Sequence, residues 1–208
     1  MTETQVLNIL KSHLPEKAVD YCLRLWRERP FSLKLTRSRQ TKIGDFMCKH
    51  GSRQARITLN HDLNQFTFLV TYVHEVAHLH VFFDVGPKAD PHGDQWKSAF
   101  QKLLSPVLTP EIFPETIFVP LSQHMMNPKA SSFADTVLTK ALRSFDALAH
   151  ADIVLSDIPE GSIFKLNGRY FKKGKLRRTR ILCKELNSRR QYLVPAEALI
   201  SDVQLSLL

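Results

Sequence analysis

The hydrophobic rhythm of the chain changes several times. Between residues 15 and 29, Ala18, Tyr21, Cys22, Leu25 and Trp26 recur at three- and four-residue spacing, which predicts a helix with one buried stripe. Pro15 suits its first turn and Pro30 ends it, and residues 2–13 read as a helix before it. Phe31 to Thr36 switches to strict alternation, with Phe31, Leu33 and Leu35 on one side, which is a strand signal. Gly44 to Cys48 and Ala55 to Leu59 are further candidate strands. Asn60 to Asn64 is a polar break that offers capping residues. It leads into a long predicted helix, Gln65 to Phe83, apolar on nearly every face, as in a helix buried at the centre of its domain.

Asp84 to Asp94 is rich in Gly, Pro and Asp and reads as a loop. Trp96, Phe100, Leu103 and Leu104 form the stripe of a following helix. Pro106, Pro110, Pro114 and Pro120 predict an irregular or extended run over residues 106–130. Ser132 to Leu148 reads as an amphipathic helix with Phe133, Val137, Ala141 and Leu142 on one side. From about Glu160 the pattern becomes short strands. Asn167-Gly168 between Ile163–Leu166 and Arg169–Phe171 is a hairpin signature, because this dipeptide accepts the positive φ angles of a tight turn. Leu176 to Cys183 and Gln191 to Val194 add two more predicted strands.

With 208 residues the chain is long enough for one sizeable core, or one domain and a small appendage. Its first residues, Met1-Thr2-Glu3-Thr4, show no basic stretch leading into an apolar run, so no secretory signal is expected. The most apolar segment is interrupted by His74, Glu75, His78 and His80, which argues against a membrane span. Cys22, Cys48 and Cys183 form neither a close pair nor an even disulfide framework. They read as buried thiols, and together these features point to the cytoplasm.

The chemistry sits in that same helix. His74-Glu75-Val76-Ala77-His78 is an HExxH pattern; its two imidazoles lie just over one turn apart and project from one face, so both can bind one ion. Glu75, about 100° further round, falls beside the ion, where it can take a proton from water. Without such a role, three polar groups crowded into the most apolar helix would be costly to bury. A catalytic zinc takes a third protein ligand and leaves a position open. His80 is about 240° round from His74 and points away. Asp84 would ligate only if the helix ended early. Asp90 and His92 remain, and His92 is favoured: the loop is long enough to return, Gly93 permits a tight turn, and the helix bearing Trp96 anchors it.

His74-Glu75-Val76-Ala77-His78, a loop containing Gly86, and then His92-Gly93-Asp94-Gln95-Trp96 resemble the SprT-like metallopeptidase domain, the family that includes the Spartan proteases. The approach to the helix, Ala55-Arg56-Ile57-Thr58-Leu59-Asn60, is similar too. The resemblance covers about residues 15–125. It implies one catalytic Zn2+ on His74, His78 and His92, with Glu75 as general base, and action on proteins bound or crosslinked to DNA. Many members carry a C-terminal zinc ribbon built on paired cysteines. Here only Cys183 is present, so no second zinc is expected and the β module reads as a metal-free counterpart.

Charge is concentrated in that module. The whole chain carries +9, yet residues 161–192 alone carry +10, from eleven Lys or Arg against Glu185. Lys172, Lys173, Lys175, Arg177, Arg178 and Arg180 are the candidate nucleic-acid contacts, with Tyr170, Phe171 and Tyr192 interleaved. Phe171 and Tyr192 read as core before stacking platforms. A second, smaller excess lies in residues 34–56: Lys34, Arg37, Arg39, Lys42, Lys49, Arg53 and Arg56 against Asp45. No amphipathic basic helix suggests a membrane partner.

The expected fold is α+β: a zincin-like domain over residues 1–130, with a small antiparallel sheet and a buried HExxH helix, a connecting helix and linker over 131–159, and a basic β module over 160–208. The expected function is a zinc metalloendopeptidase acting on DNA-associated proteins. Two rivals stay open: a nucleic-acid-binding protein with a structural or inactive metal site, and a general intracellular peptidase.

Overall fold

The computed structural model describes residues 1–39, 42–48, 54–129, 135–146 and 153–204. Lys49, Arg53, Phe133 and the two ends of the helix expected at 132–148 lie outside them. The fold is mixed α+β, with six α-helices and two sheets among the described residues. It divides into two compact units, the first Met1–Ala130 with Ala141–Asp146, the second Ser131–Lys140 with Ala147–Leu208.

In the first unit, α1 (Glu3–His13) begins at a capping box between Thr2 and Gln5, and α2 (Val19–Glu28) follows a short 3-10 turn. Strands β1 (Ser32–Thr36), β2 (Gly44–Cys48) and β3 (Ala55–Asn60) form one sheet in the order β1-β3-β2. β2 and β3 are antiparallel, but β1 runs parallel to β3, so the sheet is mixed and the antiparallel expectation is corrected. Alternation of apolar residues is the same in both directions; the connection sets direction, and here β3 inserts between β1 and β2.

α3 (Gln65–Asp84) starts where the Asn64 side chain accepts hydrogen bonds from Phe66 and Thr67 N–H, both at 3.0 Å. It is long and apolar enough to cross a membrane, but 67% of its most apolar window is buried, and it forms the centre of the first unit. The Tyr72 hydroxyl donates to Cys22 carbonyl at 3.0 Å, tying α3 to α2. α4 (Asp94–Leu104) packs on α3 through Trp96, Phe100, Leu103 and Leu104. The run expected to be irregular contains α5 (Glu115–Met126). Pro114 precedes its first turn and Pro120 lies within it; burial of Ile117, Leu121 and Met125 at four-residue spacing outweighs the lost hydrogen bond. In α6 (Thr136–Arg143) the buried positions are Leu138 and Leu142, whereas Val137 is exposed, which corrects the expected stripe.

The second unit contains β4 (Ile153–Val154), β5 (Ile163–Leu166), β6 (Arg169–Arg177), β7 (Arg180–Glu185), β8 (Gln191–Pro195) and β9 (Leu199–Gln204), in the sheet order β4-β9-β5-β6-β7-β8. Asn167 and Gly168 take φ of 50° and 76°, so the expected β5–β6 hairpin forms. The strand expected over Leu176–Cys183 is instead broken at Arg178 (φ 56°) and Thr179, where β6 turns into β7. Phe164, Phe171, Ile181, Cys183, Val194 and Ile200 belong to the core of this unit.

Candidate metal centre

His74 and His78 project from α3 towards the return of the loop that follows it. Asp90 turns that loop: its carboxylate accepts from the His92 N–H at 3.3 Å, and its carbonyl accepts from Gly93 N–H at 3.1 Å. A Cβ at Gly93 would meet Asp90 Cβ at 2.9 Å, so glycine is needed for this close approach. The turn carries His92 back to α3. His78 Nε2 lies 3.2 Å from His74 Nε2 and 3.1 Å from His92 Nε2.

Trp96 holds the three rings. Its indole stacks on His78 (centroids 5.4 Å apart, planes at 26°) and lies 4.6 Å from the His74 ring and 4.8 Å from the His92 ring. Its N–H reaches the His74 carbonyl at 3.4 Å, and Phe100 stacks against it at 5.1 Å. The imidazoles therefore rest on a rigid aromatic wall.

Burial keeps the triad neutral. It presses the His74 pKa down to about 2, helped by His78, His92 and His124, and the His78 pKa down to about 4, helped by His92. His92 is lowered as well, again by burial first. Neutral imidazole is the form that ligates. Two facing Nε2 atoms can share one proton, but His78 Nε2 faces two, so protons alone do not satisfy the cluster. Zinc–nitrogen bonds of about 2.0–2.1 Å in a tetrahedral site would space the nitrogens about 3.3–3.4 Å apart. The observed 3.1–3.2 Å is close to that, so the donor set fits one metal ion, and these three residues form the only such histidine, cysteine or acidic cluster among the described residues.

Glu75 points to the other side of the helix face, towards β2, and is only 6% exposed. Burial, and then Asp45, raise its pKa to about 8; the Phe46 backbone N–H, Lys42 and Arg39 act in the opposite direction. A divalent cation at the triad would lower it further. Asp45 also acts on His78, which places a carboxylate near both groups.

The remaining candidates fall outside the cluster. His80 lines a groove with Glu28, Asp84 and Lys102, away from the triad. Asp84 pairs with Arg29 at 2.5 Å. Asp90 shapes the loop as described. Two neighbours carry no clear signal in the sequence. Asp45 is an ordinary strand residue, and His124 falls in α5, in a stretch whose prolines hide the helix. His124 is buried and close enough to His74 to lower its pKa.

In the second unit, Lys172, Lys175, Arg177, Arg178 and Arg180 are exposed on β6, β7 and their turn. Lys173 is not part of that surface, which corrects the expectation for it. It faces the core at 9% exposure, and its ammonium donates to the carbonyls of Ser156 at 3.1 Å and Ile158 at 2.5 Å. A buried ammonium must find such partners. Phe171 is in the core and Tyr192 packs against it; the Arg169 guanidinium lies over both rings, at 5.5 and 5.3 Å. In the first unit, Arg39 is tied to Asn60 at 2.9 Å and Lys42 to Asp45 at 2.6 Å.

No curated protein and no solved structure matches the chain. Residues 16–113 match the SprT-like family, a span that takes in α2, the three-stranded sheet, α3, the returning loop and α4. That part of the chain is similar to SprT-like domains, and its three convergent histidines are able to hold a metal ion.

Proposed function

We propose that the first unit is a zincin-like, zinc-dependent metalloendopeptidase with Glu75 as general base, and that the chain acts on proteins associated with or crosslinked to DNA. The observation that carries the peptidase reading is a pairing: three imidazole nitrogens converge on one point, and a buried carboxylate stands beside them without joining the cluster. A purely structural site has no use for such a carboxylate.

His74, His78 and His92 would hold the ion. When bound, zinc supplies Lewis-acid polarisation of a carbonyl oxygen and acidifies water near neutral pH. Glu75 accepts the proton of the attacking water at a carboxylate oxygen and passes it to the leaving amine nitrogen. Its burial keeps it from competing solvent. Trp96 fixes the rings, so that the distance from base to reacting atoms stays constant.

The DNA part of the proposal draws on the second unit. Cross-strand neighbours there carry like charges: Lys172 opposite Lys184, and Arg177 opposite Arg180. Such pairs repel, and phosphates would relieve them. Arg177, Arg178 and Arg180 crowd one hairpin end.

Metal analysis of the purified chain, followed by cleavage of a basic DNA-binding protein with and without DNA, tests this. Expected are one zinc per chain, cleavage abolished by chelation, and stimulation by DNA at low salt. Metal-independent cleavage would overturn the mechanism; equal cleavage with and without DNA favours the general peptidase.

A further inference from the structure

We propose that Gly44 is a positioning residue for Glu75: the missing side chain at this place in β2 leaves the room in which the carboxylate lies. The inference rests on the reading of Glu75 as the base.

A Cβ built on Gly44 would lie 2.6 Å from Glu75 Oε1 and 3.1 Å from Glu75 Cγ, and 2.5 Å from Thr71 Cγ2. Each is closer than carbon approaches carbon or oxygen without something moving. The glycine is there for space and not for backbone freedom, because the positive-φ glycines among the described residues are Gly86, Gly161 and Gly168. The Thr71 hydroxyl is spent on its own helix, donating to the Thr67 carbonyl at 2.7 Å, and its methyl faces the strand. Between the two neighbours, the free end of Glu75 is the part able to move away.

The strand also offers the carboxylate a partner. Among the described residues β2 is an edge strand, with β3 on one side only. Asn60 N–H donates to the Ile43 carbonyl at 2.9 Å, which sets the alternation: Asp45 and Met47 turn their backbone groups to β3, whereas Gly44 and Phe46 turn theirs outward. The outward N–H of Phe46 is the donor that faces Glu75. The Phe46 ring packs on Phe82 of α3 at 5.6 Å, so strand and helix are held together on either side of the acid. With a side chain at position 44, the carboxylate swings out of reach of Phe46 N–H and off its line to the ion.

The test uses the full-length, zinc-loaded chain carrying Gly44→Ala. Zinc content stays at the parent value and KM is unchanged, while kcat falls about 100-fold, the scale expected for a base displaced by about 1 Å. The double variant Gly44→Ala/Thr71→Ser removes the methyl clash and keeps the clash with Glu75. Persisting loss of kcat supports the proposal; recovery to the parent rate overturns it, because packing against Thr71 is then the cause. A second readout needs no turnover, and so separates this inference from the peptidase reading itself. Amide exchange at Phe46 speeds up about tenfold or more in Glu75→Ala and in Gly44→Ala alike. Unchanged exchange in Glu75→Ala overturns the proposal even where Gly44→Ala does not fold.

Discussion

The Asp90 carboxylate holds the backbone N–H of His92 at 3.3 Å, two residues away in the chain, and by that contact the loop brings a third imidazole to within 3.1 Å of His78. The acid that competes with His92 on paper as a ligand is the residue that aims it. Asp90→Ala is expected to weaken zinc binding about tenfold through lost orientation, the usual scale for outer-shell partners. His92→Ala is expected to cost far more. Competition with a chromogenic chelator measures both; equal losses would return Asp90 to the role of ligand.

Trp96 is fully buried and touches all three imidazoles. Trp96→Ala is expected to destabilise the first unit by about 3–5 kcal/mol, as for other large-to-small core changes. Urea unfolding of the chelated protein reads this, and a change below about 1 kcal/mol would remove Trp96 from the core of the site.

Glu75 gives a pH signature in the metal-free protein. Its folded pKa is raised from 4.5 to about 8, so between those values the native state binds the proton more tightly than the unfolded chain does. Stability from this group is therefore present below pH 4.5 and is lost as pH rises through about 8. The triad works in the opposite sense: His74 and His78, lowered to about 2 and about 4, contribute stability above the unfolded value of 6.5 that is lost as pH falls below it. Glu75→Gln should leave the melting temperature of the chelated protein nearly unchanged at pH 5 and raise it at pH 9. Equal melting temperatures for the two proteins at pH 9 would show that the carboxylate is not buried.

Lys173 and its neighbours should separate cleanly. Lys173→Met removes an ammonium that ties two backbone carbonyls to the sheet, and should destabilise the second unit without changing the salt dependence of DNA affinity. Neutralising Arg177, Arg178 and Arg180 should leave the fold intact and lower the slope of log affinity against log salt by about one for each lost phosphate contact. Fluorescence anisotropy over a salt series measures this, and an unaltered slope in the triple variant would remove the hairpin end from the interface.

The helix that carries the triad was legible in the sequence because burial and chemistry coincide there: a run apolar on nearly every face makes its three histidines and Glu75 conspicuous. The β5–β6 hairpin was legible for a local reason, since Asn167-Gly168 supplies its own backbone angles. β1 beside β3 was not legible as parallel, because alternation encodes which side is buried and not which way a strand runs. α5 was hidden by Pro120, whose cost is offset by burial of Ile117, Leu121 and Met125. Lys173 looked like its neighbours by charge alone; alternation along β6 puts it on the same side as the core residue Phe171, two positions before it. Its ammonium is held on that side by the backbone carbonyls of Ser156 and Ile158.

The cleavage rate of zinc-loaded Glu75→Gln tests the central claim most directly. Glutamine keeps the shape and cannot accept the proton, so the variant is expected to hold one zinc per chain and to cut substrate at least about a thousandfold more slowly than the parent. A variant that retains its zinc and cleaves at the parent rate would contradict the account.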